Sequence, residues 1–335
     1  MNPHSLARTA FAPKRPAWRE QLRTALRAPA ELLHRLDLPS GDEPERSRFP
    51  MFVPQAFVER MRPGDRRDPL LLQVLPERSE SERVAGFSDD PVGDRASSAG
   101  AGILHKYHGR VLLVATGACA VHCRYCFRQA FPYASERADA GQWQAAVDHV
   151  ASDPSIEEVI LSGGDPLMLP TQRLRALTDR LAGIDHLRRL RIHTRLPIIL
   201  PDRVTDDLLD WLENLPWPVV IVIHANHANE FDASVAAALE RLRRAGVHLL
   251  NQAVLLAGIN DSSAALSALM RRAFEAGALP YYLHLLDPVS GAQRFETDRE
   301  RALDMIETLR RDLSGYLVPR LVREVAGEPY KLPIL

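Results

Sequence analysis

The stretch RVLLVATGACAVHCRYC, residues 110–126, changes character halfway along. Its first half is a short apolar run with β-branched side chains, the pattern of a buried strand. The run breaks at Thr116–Gly117, and Cys119, Cys123 and Cys126 follow within eight positions. Five further runs repeat the first half: EEVILSGG (157–164), LRIHT (190–194), VVIVIHA (219–225), VHLLNQAVLL (247–256) and YYLHLLD (281–287). Amphipathic stretches near 141–152, 171–183, 203–214, 232–245, 262–276 and 297–313 predict helices between and after them. One of these, DASVAAALERLRRAG, ends on Gly246, which fits the residue after a helix C-cap.

Six strand–helix units with continuous apolar strands predict an α/β fold with a parallel sheet covered by helices. An open doubly wound sheet and a barrel are the two ways to arrange it. Polar residues at the C-terminal strand ends separate them. Thr116–Gly117, Ser162–Asp165, His193–Arg195, His224–Asn226 and His284–Asp287 all lie there. An open sheet gathers such residues at one switch point, whereas a barrel rings its mouth with them. The sequence therefore predicts a partial (β/α)6 barrel over residues 101–315. A mainly helical and loop extension, residues 1–100, packs outside it, with short helices at 17–36 and 54–62 and a covering loop from Glu77 to Gly102. Residues 316–335 form a C-terminal segment.

The formal net charge of −1 argues against a broadly basic nucleic-acid-binding surface. No run approaches the ~18 apolar residues of a membrane span. The Arg-rich first thirty residues share the bias of transit peptides but read as a solvated arm entering a helix. Three clustered cysteines do not make a disulfide framework, so a reducing cytoplasm is the expected setting.

The spacing C-x3-C-x2-C lets one loop wrap a metal centre. A structural zinc site needs a fourth ligand, and His122, His105 or His108 would have to supply it. Three inert buried thiols are the remaining alternative. Three cysteines on a [4Fe–4S] cluster would leave one iron open to chemistry. LSGGDP (161–166) pairs glycines that admit a ligand to the backbone with a carboxylate able to hold an ammonium. Lys331 is one of three lysines in the chain and sits in a Gly/Pro-bounded loop near its end.

Beyond these local readings, CAVHCRYCFR and SGGDPLM resemble the cluster loop and Gly-Gly-acid motif of radical S-adenosylmethionine enzymes. LHKYHGRVLL, RLRIHTRLPIILP, PYYLHLLDPVSGAQRF and SGYLVPRLVREVAGEPYK extend the resemblance along the chain to the lysine 2,3-aminomutase family. It is nearest to the short members that serve (R)-β-lysylation of elongation factor P, since the cysteine-bearing extension of the long aminomutases is not found after Lys331.

The resemblance implies an isomerase that converts (S)-α-lysine to (R)-β-lysine, with three cofactors. A [4Fe–4S] cluster would be bound by Cys119, Cys123 and Cys126, its open iron facing S-adenosylmethionine. Gly163, Gly164, Asp165, His224 and Gln252 would lie beside S-adenosylmethionine, with Asp165 and the glycine backbone receiving its amino group. Pyridoxal phosphate would sit on the catalytic Lys331, near Tyr107 and Arg110. Arg128 would pair with the substrate carboxylate, Asp287 and Glu324 with the lysine ε-ammonium. The implied partners are a ferredoxin- or flavodoxin-like electron donor and, functionally, elongation factor P and its lysyl-ligase; a homo-oligomer is compatible. Production of free β-lysine, a glutamate aminomutase and a non-enzymatic zinc module are the alternatives.

Overall fold

The computed structural model describes residues 17–41, 43–44, 47–100, 102–136 and 143–335. The arm at 1–16 and the first two residues of the helix expected at 141–152 lie outside them. Nine strands form one sheet in chain order: β1 (Ile103–Tyr107), β2 (Arg110–Thr116), β3 (Glu158–Gly163), β4 (Arg189–Thr194), β5 (Val219–His224), β6 (His248–Val254), β7 (Leu279–His284), β8 (Arg320–Arg323) and β9 (Leu332–Pro333). β2 through β8 run parallel, each beside its successor, while β1 and β9 cap the two ends antiparallel. The order never reverses, so the sheet has no switch point. It winds one way, as a barrel does, and β1 and β9 are not paired with each other among the described residues. This is the partial barrel rather than the doubly wound sheet. The six expected strands are β2 to β7; β1, β8 and β9 were too short or too polar to be read as strands.

The helices are α1 (Trp18–Arg23), α2 (Pro29–Arg35), α3 (Gln55–Val58), α4 (Tyr133–Glu136), α5 (Trp143–Ser152), α6 (Thr171–Leu181), α7 (Leu196–Ile199), α8 (Asp206–Glu213), α9 (Ala233–Arg244), α10 (Ser263–Glu275) and α11 (Arg299–Asp312). Local chemistry sets several starts: Thr205, Asp232, Ser262 and Asp298 each accept a backbone N–H of the first turn with a side-chain oxygen. Gly246 takes φ +79° just beyond α9, a conformation that favours glycine.

Alternation along the strands divides the two faces of the sheet. Val111, Leu113, Val159, Leu161, Leu190, Ile192, Ile221 and Ile223 point outward into one continuous core under the helices. Leu32, Leu33, Phe57, Leu70 and Leu71 of the N-terminal segments join that same core. The intervening residues point inward, and from β4 to β8 many are polar: Arg191, His193, His224, Gln252, His284 and Arg320. Strands that read as continuously apolar are in fact two-sided, because their inner face lines a cavity instead of filling a core.

Candidate active site

That cavity has a volume of about 950 Å³ and runs along the inner face of the sheet. Every residue to which the family resemblance assigns a role lines it: Cys119, Cys123, Cys126, Arg128, Gly163, Gly164, Asp165, Tyr107, Arg110, His224, Gln252, Asp287, Glu324 and Lys331. They come from both ends of the sheet and from loops far apart in the chain.

The three thiols stand on the loop after β2. Three flanking segments clamp this loop through its backbone. His122 N donates to Phe52 O at 3.0 Å, Arg124 N to Gln73 O at 2.9 Å, and Asp165 N to Ala118 O at 2.8 Å. Arg124, almost fully buried, pairs with Glu80 and donates to Phe49 O at 2.6 Å. The glycines of LSGGDP permit the last clamp. A Cβ on Gly163, at φ +122°, would meet Thr116 O at 2.4 Å, and one on Gly164 would meet Ala118 O at 2.5 Å. Close backbone approach is therefore what these positions require.

Asp165 departs from expectation. Thr194 Oγ1 donates to its two oxygens at 2.7 and 2.9 Å, and backbone N–H groups of Leu167, Arg195 and Leu196 complete the set at 2.8–3.0 Å. Its carboxylate ties the turn after β3 to the turn after β4. Both of its oxygens are engaged by the protein itself. Burial still pushes the carboxyl up, to about 6, against these bonds.

Burial pushes the Cys119 thiol far up and that of Cys126 to about 12, and the nearby Cys123 raises both further. Such thiols remain protonated unless a metal centre stabilises the thiolates. Among the described residues, no three His, Cys, Asp or Glu side chains stand close enough to share one metal ion. The histidines that zinc would need are committed elsewhere. His122 Nδ1 lies 2.7 Å from Pro50 O with its ring stacked on Phe49, His105 faces His149 at 3.2 Å, and His108 sits in the β1–β2 turn at the opposite strand ends. Three separated thiols on one cavity wall fit a cluster, which takes each sulfur on a different iron, better than they fit a single ion.

Across the cavity runs a chain of alternating charges. Arg128 Nε donates to Asp94 Oδ2 at 2.6 Å and Nη1 to Ser162 Oγ at 3.2 Å. Asp94 also pairs with Lys106 Nζ at 2.6 Å, Lys106 with Glu324 at 2.9 Å, and Glu324 with Lys331. Burial alone would raise Glu324, but Lys331 and Lys106 bring it down to about 2. Asp287 has no such partner: burial and the neighbouring Glu324 push it up to about 7, and its Oδ1 makes no hydrogen bond. Tyr107 lies under the Arg110 guanidinium, 4.6 Å from ring centre to cation. Sequence reasoning missed Asp94 and Lys106. Asp94 lies in the stretch read as a covering loop and Lys106 within LHKYHGRVLL, but nothing local marked either as part of the site.

A further set of inward atoms has no partner: His193 Nε2, His224 Nε2, His284 Nε2 and Gln252 Oε1. Burial lowers all three imidazoles, His224 to about 4, so they are neutral near pH 7. Buried polar atoms without partners are costly and persist where a ligand completes them. Together with the cationic residues Arg110, Arg128, Lys106 and Lys331, they suit large, polar, anion-bearing cofactors.

The fold and the cysteine loop define an S-adenosylmethionine radical enzyme, and a family profile described as the Radical SAM superfamily matches residues 113–268. Similarity then extends over the full length. The chain is 44% identical to the L-lysine 2,3-aminomutase of Escherichia coli K12 over 97% of this chain and 96% of that protein. It is 45% identical to that of Haemophilus influenzae over 94% of each, and 31% to that of Clostridium subterminale over 95% of this chain and 77% of that protein. Among solved structures, a radical SAM methyltransferase from Sphaerobacter thermophilus superposes with a TM-score of 0.45 at 18% identity, over 66% of this chain and 68% of that one. The chain belongs to the lysine 2,3-aminomutase family of radical SAM enzymes, which implies an iron–sulfur cluster and S-adenosylmethionine. No described helix is long and apolar enough to cross a membrane.

Proposed function

We propose that this chain is an isomerase that moves the α-amino group of L-lysine to Cβ, giving (R)-β-lysine for attachment to elongation factor P. The observation that carries the reading is the opposition, in one cavity, of three cysteine thiols and a lysine paired through carboxylates to a buried arginine.

Cys119, Cys123 and Cys126 would hold the cluster. The Gly163–Gly164 backbone, His224 and Gln252 would flank S-adenosylmethionine. Lys331 would carry pyridoxal phosphate, with Tyr107 and Arg110 beside it. When bound, the cluster with S-adenosylmethionine supplies a radical that takes hydrogen from an unactivated carbon, and pyridoxal phosphate supplies the delocalising system through which nitrogen moves. The protein fixes the substrate at its two ends. Arg128, held rigid by Asp94 and Ser162, presents its fork to the α-carboxylate. Asp287 and Glu324 take the ε-ammonium, and Glu324 becomes free to do so when Lys331 gives up its own positive charge. Between these anchors Cα and Cβ are held still, which serves a reaction limited by orientation. The enclosing walls exclude water and stray hydrogen donors.

The elongation factor P role rests on the resemblance to the short members of the family. A small one-electron carrier of the ferredoxin or flavodoxin kind is the matching reductant. The test is anaerobic reconstitution followed by assay with lysine, S-adenosylmethionine, pyridoxal phosphate and a reductant. A brown protein with about four irons per chain that forms β-lysine, and does not turn over glutamate, is expected. A fully loaded enzyme that forms no β-lysine would refute the reading.

A further inference from the structure

Arg195 follows β4 and is buried behind the cysteine loop. Its Nη1 lies 2.7 Å from Cys123 Sγ, while Nη2 donates to Gln73 Oε1 at 2.6 Å and to Glu230 Oε2 at 2.8 Å. Glu230 is fully buried, and its other oxygen accepts from Asn226 N at 2.8 Å, His227 N at 3.1 Å and Gln73 Nε2 at 3.2 Å. Asn226 and Tyr125 close the ring, Asn226 Nδ2 donating to the Tyr125 hydroxyl at 2.6 Å. The guanidinium is thus fixed by a carboxylate on one side and turned toward a sulfur on the other. Among the described residues it is the only cationic side chain hydrogen-bonded to a cysteine sulfur.

We propose that Arg195 is a positioning residue for the iron–sulfur centre, and that the Arg195–Glu230 pair sets how readily this centre accepts an electron. The proposal rests on reading Cys119, Cys123 and Cys126 as cluster ligands. Reduction adds one negative charge to the centre. A cationic donor on a ligating sulfur favours the more negative state, and a carboxylate behind it opposes that state. In a buried setting both effects are weakly screened. The two members of the pair therefore act with opposite signs, which a purely structural brace would not do.

The experiment is a redox titration of the anaerobically reconstituted chain, with the reduced cluster followed by electron paramagnetic resonance. Charge-assisted hydrogen bonds shift equilibria about tenfold or more. Arg195→Gln should lower the reduction equilibrium constant by at least that factor, a midpoint about 59 mV more negative for a one-electron couple. Arg195→Lys, which keeps the charge without the fork, should fall between. Glu230→Gln should move the midpoint the other way. Equal midpoints in wild type and Arg195→Gln at equal iron content would overturn the proposal, as would shifts of the same sign in the two Gln variants. If Arg195→Gln takes up no iron, Glu230→Gln decides: a raised midpoint supports the proposal and an unchanged one overturns it. A wild-type chain that binds no iron defeats the underlying reading instead.

Discussion

The two walls of the cavity are built differently. The cysteine wall is one short loop, clamped by backbone hydrogen bonds with Phe52, Gln73 and Asp165 and by the buried Arg124 and Arg195. The facing wall, from β6 to the tail, is assembled from isolated side chains. Gln252, His284 and Asp287 have inward atoms without partners, and Glu324 and Lys331 are held mainly by charge, paired with each other and, through Glu324, with Lys106 of β1. An unpartnered buried polar atom costs about 1–3 kcal/mol, so the second wall is the expensive one. The difference matches two kinds of occupant. A cluster is rigid and wants its ligands fixed beforehand. A cofactor–substrate assembly changes its bonds during reaction, and wants polar groups free to exchange partners.

The largest test of this contrast separates the walls outright. Lys331→Ala should abolish β-lysine formation, and the absorbance of bound pyridoxal phosphate should go with it. The iron content should stay at the wild-type value, because no hydrogen bond or ion pair of Lys331 reaches the cysteine loop. Loss of iron along with the pyridoxal phosphate would show that the two walls are one cooperative unit.

A second test uses Asp287. Its carboxyl is pushed up to about 7 from an ordinary 3.8. Between these values the folded chain holds a proton that the unfolded chain has released, so stability falls as pH rises from about 4 to about 7. Asp287→Asn should remove that slope, worth about 4 kcal/mol across the window. Urea unfolding of both proteins at about pH 4 and about pH 8 reads it directly. The same carboxylate must be ionised to receive an ammonium. In the loaded wild type, kcat/KM for lysine should therefore rise through about pH 7, and Asp287→Asn should lose both that limb and most lysine turnover. A pH limb of unchanged position in Asp287→Asn would assign the titration to another group.

Gly164→Ala probes the clamped wall. The added Cβ would meet Ala118 O at 2.5 Å and Gly117 O at 2.8 Å, both backbone atoms. The cysteine loop has to move, at a cost of about 1–3 kcal/mol. Iron per chain should drop while pyridoxal phosphate absorbance persists, the mirror image of Lys331→Ala. Full iron content in this variant would show that the clamp is looser than its contacts suggest.

What could be read from the sequence divides along the same line. The cysteine loop, the glycines and the six core strands are local patterns, and each lies where its spacing placed it. The inward polar face was masked because strands such as VVIVIHA look apolar throughout, and only alternation against a curved sheet tells His224 from Ile223. Asp94 and Lys106 carried no periodic signal, since one sits in a loop and the other on a strand too short to stand out. Asp165 was the reverse case. The motif drew attention to its carboxylate, yet the oxygens face three backbone donors and a threonine that only the tertiary structure brings near. Local motifs locate a site, but whether a polar group there faces a ligand or its own backbone depends on distant segments.

The smallest test lies where the walls meet. Ser162, on β3 just before the glycines, receives a hydrogen bond from Arg128 Nη1 at 3.2 Å, while Asp94 holds the Nε edge of the same guanidinium at 2.6 Å. The charged contact outweighs the long bond to a hydroxyl. Ser162→Ala should therefore cost about 1 kcal/mol or less in stability. It should leave iron and pyridoxal phosphate in place, since Asp94 still anchors the side chain. What it removes is the restraint on the rotation of the fork, so KM for lysine should rise by less than about tenfold, with kcat nearly unchanged. A large fall in kcat instead would mean that Ser162 orients Arg128 for the chemical step itself, and that the two walls share a residue on which both depend.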